Sequence, residues 1–512
     1  MRNKFLTFAA LLALTVSCQD AYEIEEPGYR TEDSQIFNSS TDISRGINAL
    51  YNQIPYEAEI NFVSYFTDEL GVGRDNAGQG INDGSYRFFM NPGTGFAGSL
   101  WSNMYNVVNR SNRLMNRIDE LLAKSPSATE TKALEIAKGR LYIFRAFAHM
   151  KLFSYYTTDY TNGSALSVIK FDFYHTDDYT RYEKRATVNE IVSFIESDIT
   201  KAFALTNDGL ELDMAAAGDN NFVGKNVAHA ILIKLYAMTN NASGILSNID
   251  LVTGKSIGDP AGYLSMFAKE ELGLEENPDL IWRLIRVAND GGGVAGAWWA
   301  GAVGTTRTAY MEIGRSLFNQ INALNPRPAA DMRYGVTLHA DSTPRANYQS
   351  LSPNDYREQD LLFIGKYPGS AGANLQNDLK MIRYTDLYLA KAEALAMNGD
   401  FKGVEDIIKE IRTARTQVLD GDVVVSPTIN TVQEAWKAIL DERRVEFAFE
   451  GARYLDMKRL GARAGSPGFV RDNKDCELNG ACSLPVSSHK LTLPIPRSEM
   501  LSNPNMIQNP GY

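Results

Sequence analysis

The chain has 512 residues, a hydrophobic fraction of 44% and a formal net charge of −11. That acidity argues against nucleic acid as a partner, because such affinity rests on lysine and arginine neutralising phosphates. The hydrophobic content supplies a sizeable core, and no stretch reaches the eighteen consecutive apolar residues of a membrane-spanning helix.

Residues 1–17 read as a secretory signal, with Arg2 and Lys4 ahead of an apolar run over 6–16 and then Ser17 and Cys18. The run is too short for a bilayer, which takes about 20 helical residues. Cleavage before Cys18 and acylation of its thiol and new amino group would leave a lipid-anchored chain. Each buried methylene of such an anchor adds about 0.8 kcal/mol. The alternative is a soluble secreted protein whose Cys18 leaves with the peptide. Removing residues 1–17 makes the chain two units more negative. Residues 18–40, beginning QDAYEIEEPGY, read as a tether. No Pro/Ser-rich linker or charge block divides 41–512, which reads as a single domain with insertions at 62–99, 241–375 and 462–512.

Helical patterning recurs along that domain. Stretches at 42–54 and 100–123 come first, followed by 133–156, which mixes Ala, Leu, Phe and Tyr on most faces as a helix inside a bundle does. Thr187 and Glu190 form a capping-box pair, after which Val188, Ile191, Ile195, Ile199 and Ala202 share one face. A further stretch covers 222–239. The Ala/Leu-rich segment 380–400 stops at Asn398-Gly399, and a second helix begins at once with Val404, Ile407, Ile408 and Ile411 on one stripe. So short a turn makes the two antiparallel. A last helix is predicted over 431–460, opened by Thr431 and Glu434. Ala390, Ala392, Ala394 and Ala396 permit close approach, as in tetratricopeptide-type hairpins, although the strict 34-residue signature is absent. The predicted fold class is all-α, built of irregular helix pairs with long loops at 62–99, 157–186, 241–375 and 462–512. Loops of that length inside a compact domain are usually functional.

Two of those loops are rich in glycine. Segment 71–89 offers Arg74, Asn76, Asn82 and Tyr86, planar polar groups able to form paired bonds to vicinal hydroxyls. The competing reading is a solvated loop with Tyr86, Phe88 and Phe89 packed on the core. Segment 289–306 holds Trp298 and Trp299 among glycines. An indole held there is a platform for the C–H face of a sugar ring, or else a plug into the core. Trp282 and Trp436 have apolar neighbours and read as core. Cys476 and Cys482, six apart in a turn-rich segment, read as a local disulfide or as two free thiols.

Glu442, Glu446 and Glu450 fall at i, i+4 and i+8, which admits a glycosidase-like acid pair. Arg443, Arg444, Arg453 and Arg459 lie within reach and favour charge-paired carboxylates, which make poor general acids. The histidines at 149, 175, 229, 339 and 489 are scattered, with His149 and His229 inside apolar helical stretches. No zinc, phosphate-loop or nucleophile-elbow motif occurs. The chain reads as a binding protein without catalytic residues, metal or cofactor.

The segment 441–461 matches an E-R-R-x-E-F-x-x-E-G-x-R-x-x-D-x-x-R block through Glu442, Arg443, Arg444, Glu446, Phe447, Glu450, Gly451, Arg453, Asp456 and Arg459. The tail 493–512 carries I-P-x-x-E, N-P-N and a Q-N-P-G-Y ending. In both, the chain resembles the SusD/RagB-type lipoproteins of the Bacteroidetes outer membrane. Weaker echoes include Trp101 and Tyr105 before Asn109, Arg145 to Phe147, and Ile382 to Ala394. The resemblance implies about four tetratricopeptide-like units and a lipid-anchored position on the outer membrane facing the cell exterior. It also implies a SusC-like TonB-dependent transporter as partner, over which the protein closes as a lid to deliver captured nutrient. A glycan ligand is expected, with a peptide, as for a RagB-like uptake protein, as the alternative. The segment after Tyr156 lacks the family's glycine-x-x-proline turn, and the Cys476/Cys482 loop departs from the pattern. The family's ligand loops are its most variable parts, so the substrate does not carry over.

Overall fold

A computed structural model describes residues 33–76, 78, 81, 84–174, 181–215, 219–271, 273–287, 293, 309–325, 330–369, 376–419 and 423–512. The expectations for the signal, Cys18, Asn82, His175, Trp298 and Trp299 fall outside these residues.

The architecture is mostly helical, and the sheets among the described residues are small and two-stranded. Phe37 brings the chain into the fold, its carbonyl accepting from Arg117 Nε at 2.7 Å. Helices α1 (Ser40–Tyr51) and α2 (Tyr56–Phe66) follow. α2 extends into a segment expected to be loop. It carries little one-sided patterning because both Phe62/Phe66 and Tyr56/Ile60/Val63 are buried.

Helices α3 (Gly95–Leu122) and α4 (Ala128–Tyr156) form a long pair joined by a short turn, and α5 (Val188–Leu205) packs on α4. Thr187 caps α5 with both bonds of the expected capping box present. α6 (Lys225–Met238) and α7 (Ala242–Ile249) make the next pair. Further along the chain come α8 (Arg315–Ala323) and α9 (Pro353–Gln359), and α10 (Tyr384–Met397) pairs with α11 (Phe401–Arg415). The alanines of α10 are buried, and the helix touches α6, α7, α11 and α12 (Val432–Glu446). Small side chains let it sit between four neighbours. The end of the chain adds α13 (Arg453–Leu460), the short α14 (Asn473–Cys476) and α15 (Arg497–Ser502).

Two expectations need correction. The helix predicted over 431–460 is broken into α12 and α13 by a turn in which Phe449 and Gly451 adopt positive φ, +61° and +78°. The start of the predicted 380–400 helix is instead strand β6 (Leu379–Arg383), which pairs antiparallel with β4 (Leu280–Leu284). Trp282 of β4 is fully buried against Phe144 and Phe147, as a core tryptophan should be.

Strands β1 (Leu70–Val72) and β5 (Met311–Ile313) form another antiparallel pair, with Leu70 opposite Ile313 and Val72 opposite Met311. The remaining pairs are β2 (Leu166–Ile169) with β3 (Arg185–Thr187), and β7 (Gly468–Val470) with β8 (Ser483–Pro485).

Candidate functional site

The acidic residues of the C-terminal motif are locked in an ion network. Glu446, fully buried, faces Arg383 at 2.7 Å, Arg415 at 3.0 Å and Arg333 at 3.5 Å. Burial alone would push its carboxyl up, but Arg415, Arg383 and Arg333 outweigh that cost and hold it well below the ordinary range. Glu442 bonds Arg333 at 2.6 Å and Arg412 at 2.7 Å. Glu450 comes from the turn after α12 and still joins the network, meeting Lys366 at 2.6 Å and Arg383 at 2.9 Å. Glu446, so held, is poorly suited to deliver a proton. The network's geometry ties β6, α11 and α12 together. His149 is likewise engaged, its Nδ1 2.9 Å from the Arg145 carbonyl and its Nε2 accepting from Phe171 N–H, and burial lowers it to about 4.

Two strands beside the glycine-rich segments pair: β1 opens the first segment and β5 comes a few residues after the second, so the β1/β5 ladder links parts of the chain far apart in sequence. Beyond the ladder, Gly73 N–H and Asn76 Nδ2 both donate to the Tyr310 carbonyl, at 3.0 and 2.8 Å. A side chain at Gly73 would collide with the Ala309 carbonyl, which explains glycine at that point. Two more segments close on the same ladder. Arg357 of α9 donates to the carbonyls of Gly73 and Arg74 at 3.3 and 3.2 Å. Asp475 of α14 accepts from Arg315 N–H at 2.7 Å and from the Tyr356 hydroxyl at 2.9 Å. Cys476 and Cys482 are disulfide-bonded with Cα atoms 5.0 Å apart, closing the turn that follows Asp475.

The sequence-derived ligand candidates separate here. Arg74 is half-exposed, its Nε 3.7 Å from both Asp75 and Glu358. Asn76 is buried, and its side chain bridges the Tyr310 carbonyl and the Gly78 N–H. Tyr86 is also buried. Its hydroxyl donates to the Asp475 carbonyl at 3.0 Å while Arg471 lies 3.9 Å above its ring. Asn76 and Tyr86 therefore shape the loop from beneath, where their side chains are shielded from solvent. Phe88 is buried, but Phe89, read as a core contact, is 57% exposed.

Sequence reasoning missed the acids under this surface. Glu312 of β5 accepts from Leu362 N–H at 2.7 Å and Arg74 N–H at 3.4 Å, and among the described residues no ion pair joins it. Burial is the chief reason its carboxyl rises to about 8, with Asp360 and Asp475 adding to the effect. Asp475 rises to about 7, mainly through burial and against the bonds from Arg315 and Tyr356. Glu69, beside β1, is raised by burial to about 7; one of its oxygens accepts from Phe449 N–H and the other has no hydrogen-bond partner among the described residues. A glutamate within the apolar-flanked run MEI was the available signal.

Family comparisons agree at both ends of the chain. A profile described as "SusD family" matches residues 327–512, and one described as "Starch-binding associating with outer membrane" matches 27–217. The chain is 23% identical to SusD-like protein P38 of Formosa agariphila, covering 100% of this chain and 99% of that protein. Among solved structures, a SusD superfamily protein of Bacteroides thetaiotaomicron superposes with a TM-score of 0.70 at 20% identity, covering 92% of this chain and all of the other. A laminarin-binding SusD-like protein gives 0.64 at 19% identity, with 93% of this chain and all of that one covered.

Proposed function

Because the chain belongs to the SusD/RagB-type family of outer-membrane-associated carbohydrate-binding proteins, we propose that it captures oligosaccharide at the surface built on the β1/β5 ladder and passes it to a SusC-like TonB-dependent transporter. The observation that supports this reading is the pairing of β1, which opens one glycine-rich segment, with β5, which follows the other in sequence, with half-exposed Arg74 at the edge of the ladder. Trp298 and Trp299 belong to the second segment and supply the stacking surface in this proposal; Arg74 supplies directional bonds to sugar hydroxyls. Acylated Cys18, exposed once the signal is removed, would hold the protein to the outer membrane facing the cell exterior. Binding without turnover is the expected behaviour, in keeping with carboxylates that are either ion-paired or buried.

The test is isothermal titration or affinity electrophoresis against a glycan panel, repeated with Arg74→Ala, Trp298→Ala and Trp299→Ala. Loss of binding in a tryptophan variant supports the loop as the site. Binding of oligopeptides instead of glycans would move the ligand to the peptide class. Release of sugar by the purified protein would overturn the non-catalytic reading.

A further inference from the structure

A second cleft, sharing no residue with the loop surface, lies between α3, the segment before β3, and α15. Its volume is about 610 Å³, within the range of small-molecule sites. Trp101 and Tyr105 of α3 form part of its floor, with ring centroids 4.8 Å apart. The rim is polar: Asn106 one turn along α3, Tyr182 before β3, and Ser498 and Glu499 of α15.

The walls are fixed before any ligand arrives. Trp101 Nε1 donates to Glu499 at 3.3 Å, across the cleft from α3 to α15. The Tyr105 hydroxyl donates to the Ile169 carbonyl at 3.1 Å and lies 2.8 Å from the Ile169 N–H, which donates to it. Asn503 Nδ2 donates to the Glu183 carbonyl at 2.8 Å and Asn505 Nδ2 to the Tyr182 carbonyl at 2.7 Å, pinning the third wall to the C-terminal segment. Several rim groups, by contrast, are uncommitted. Among the described residues, the Asn106 amide, the Tyr182 hydroxyl and the Ser498 hydroxyl have no hydrogen-bond partner, and the Tyr182 ring is 46% exposed.

We propose that this cleft is a second binding site, for a neutral oligosaccharide. An exposed aromatic ring beside a free amide and free hydroxyls matches the alternating C–H faces and hydroxyl edges of a sugar chain. The charges select against an anionic ligand: Arg181 is paired with Glu183 at 2.5 Å, and Glu499 is already held by Trp101 and Asn503, so no unpaired cation faces the cleft among the described residues. The fixed walls lower the ordering cost of binding. The choice of sugar as ligand rests on the function proposed above; the position of the site does not.

Titration with maltoheptaose and with laminarihexaose tests this on three proteins: the unaltered chain, a loop variant with Trp298→Ala and Trp299→Ala, and a cleft variant with Tyr182→Ala and Asn106→Ala. Both cleft positions are exposed, so the fold should survive; an unchanged melting temperature checks it. The expected result is two sites in the unaltered chain, one of them retained by the loop variant and weakened at least tenfold in the cleft variant. A single site lost in the loop variant and intact in the cleft variant overturns the second site and leaves the loop reading standing. A single site with the reverse pattern supports the cleft and overturns the loop. No binding of either sugar by any of the three overturns the ligand class assigned to the cleft.

Discussion

The molecule buries acids in two places and treats them in opposite ways. Around α12, Glu442, Glu446 and Glu450 each face guanidinium or ammonium groups. Beneath the β1/β5 ladder, Glu312, Asp475 and Glu69 are met by backbone N–H groups and a phenol, and among the described residues none of them has a salt-bridge partner. Equal burial thus leaves Glu446 held low among guanidinium groups and pushes Glu312 up. The ion network and the ladder should therefore fail at opposite ends of the pH scale.

The largest expected effect comes from unbalancing the paired region. Arg383→Met leaves Glu446, Glu450 and Asp279 short of a partner and should cost about 3–5 kcal/mol, read from the urea denaturation midpoint. A loss below about 1 kcal/mol would mean the network carries little. Because Glu446 is held below its ordinary 4.5, its stabilising contribution is complete above that value and is lost as pH falls.

Glu312 has the reverse sign. Its folded value of about 8 lies above 4.5, so the folded state holds the extra proton between the two, and stability falls as pH rises through that window. The slope is about 1.4 kcal/mol per pH unit for one group. Glu312→Gln should flatten the profile between pH 5 and pH 8; an unchanged slope would remove Glu312 from the account.

Opening the disulfide by Cys476→Ser with Cys482→Ser should cost about 2 kcal/mol for so short a loop. Since Asp475 precedes Cys476 and touches Tyr86, the loss should appear first as faster hydrogen exchange around β1. Exchange unchanged at β1 would uncouple the bridge from the ladder. Smallest for stability is Arg74→Ala, expected within about 0.5 kcal/mol because the side chain is half-exposed, with its effect confined to affinity.

Helix pairs could be read from the chain because a 3.6-residue period is a local signal, and α5 and α11 appear where it places them. Two boundaries could not. β6 looks helical from within and is a strand because β4, about a hundred residues earlier, pairs with it. The break before α13 depends on left-handed Phe449, which no period announces. The candidate site was legible in its parts: each glycine-rich segment stood out by composition. The pairing of the strands beside them was not, since it spans more than two hundred residues. Nor does sequence say whether a polar loop residue faces outward, as Arg74 does, or holds the loop from below, as Asn76 and Tyr86 do.

That same ladder sets an order of events during synthesis and export. Helices α1 to α7 can pair from neighbouring sequence as they emerge, since local contacts form fast. β1 has no strand to meet until β5 arrives about 240 residues later. The proposed ligand surface is consequently among the last parts of the chain to take shape, and the edge of β1 must wait unpaired while most of the protein is still being delivered.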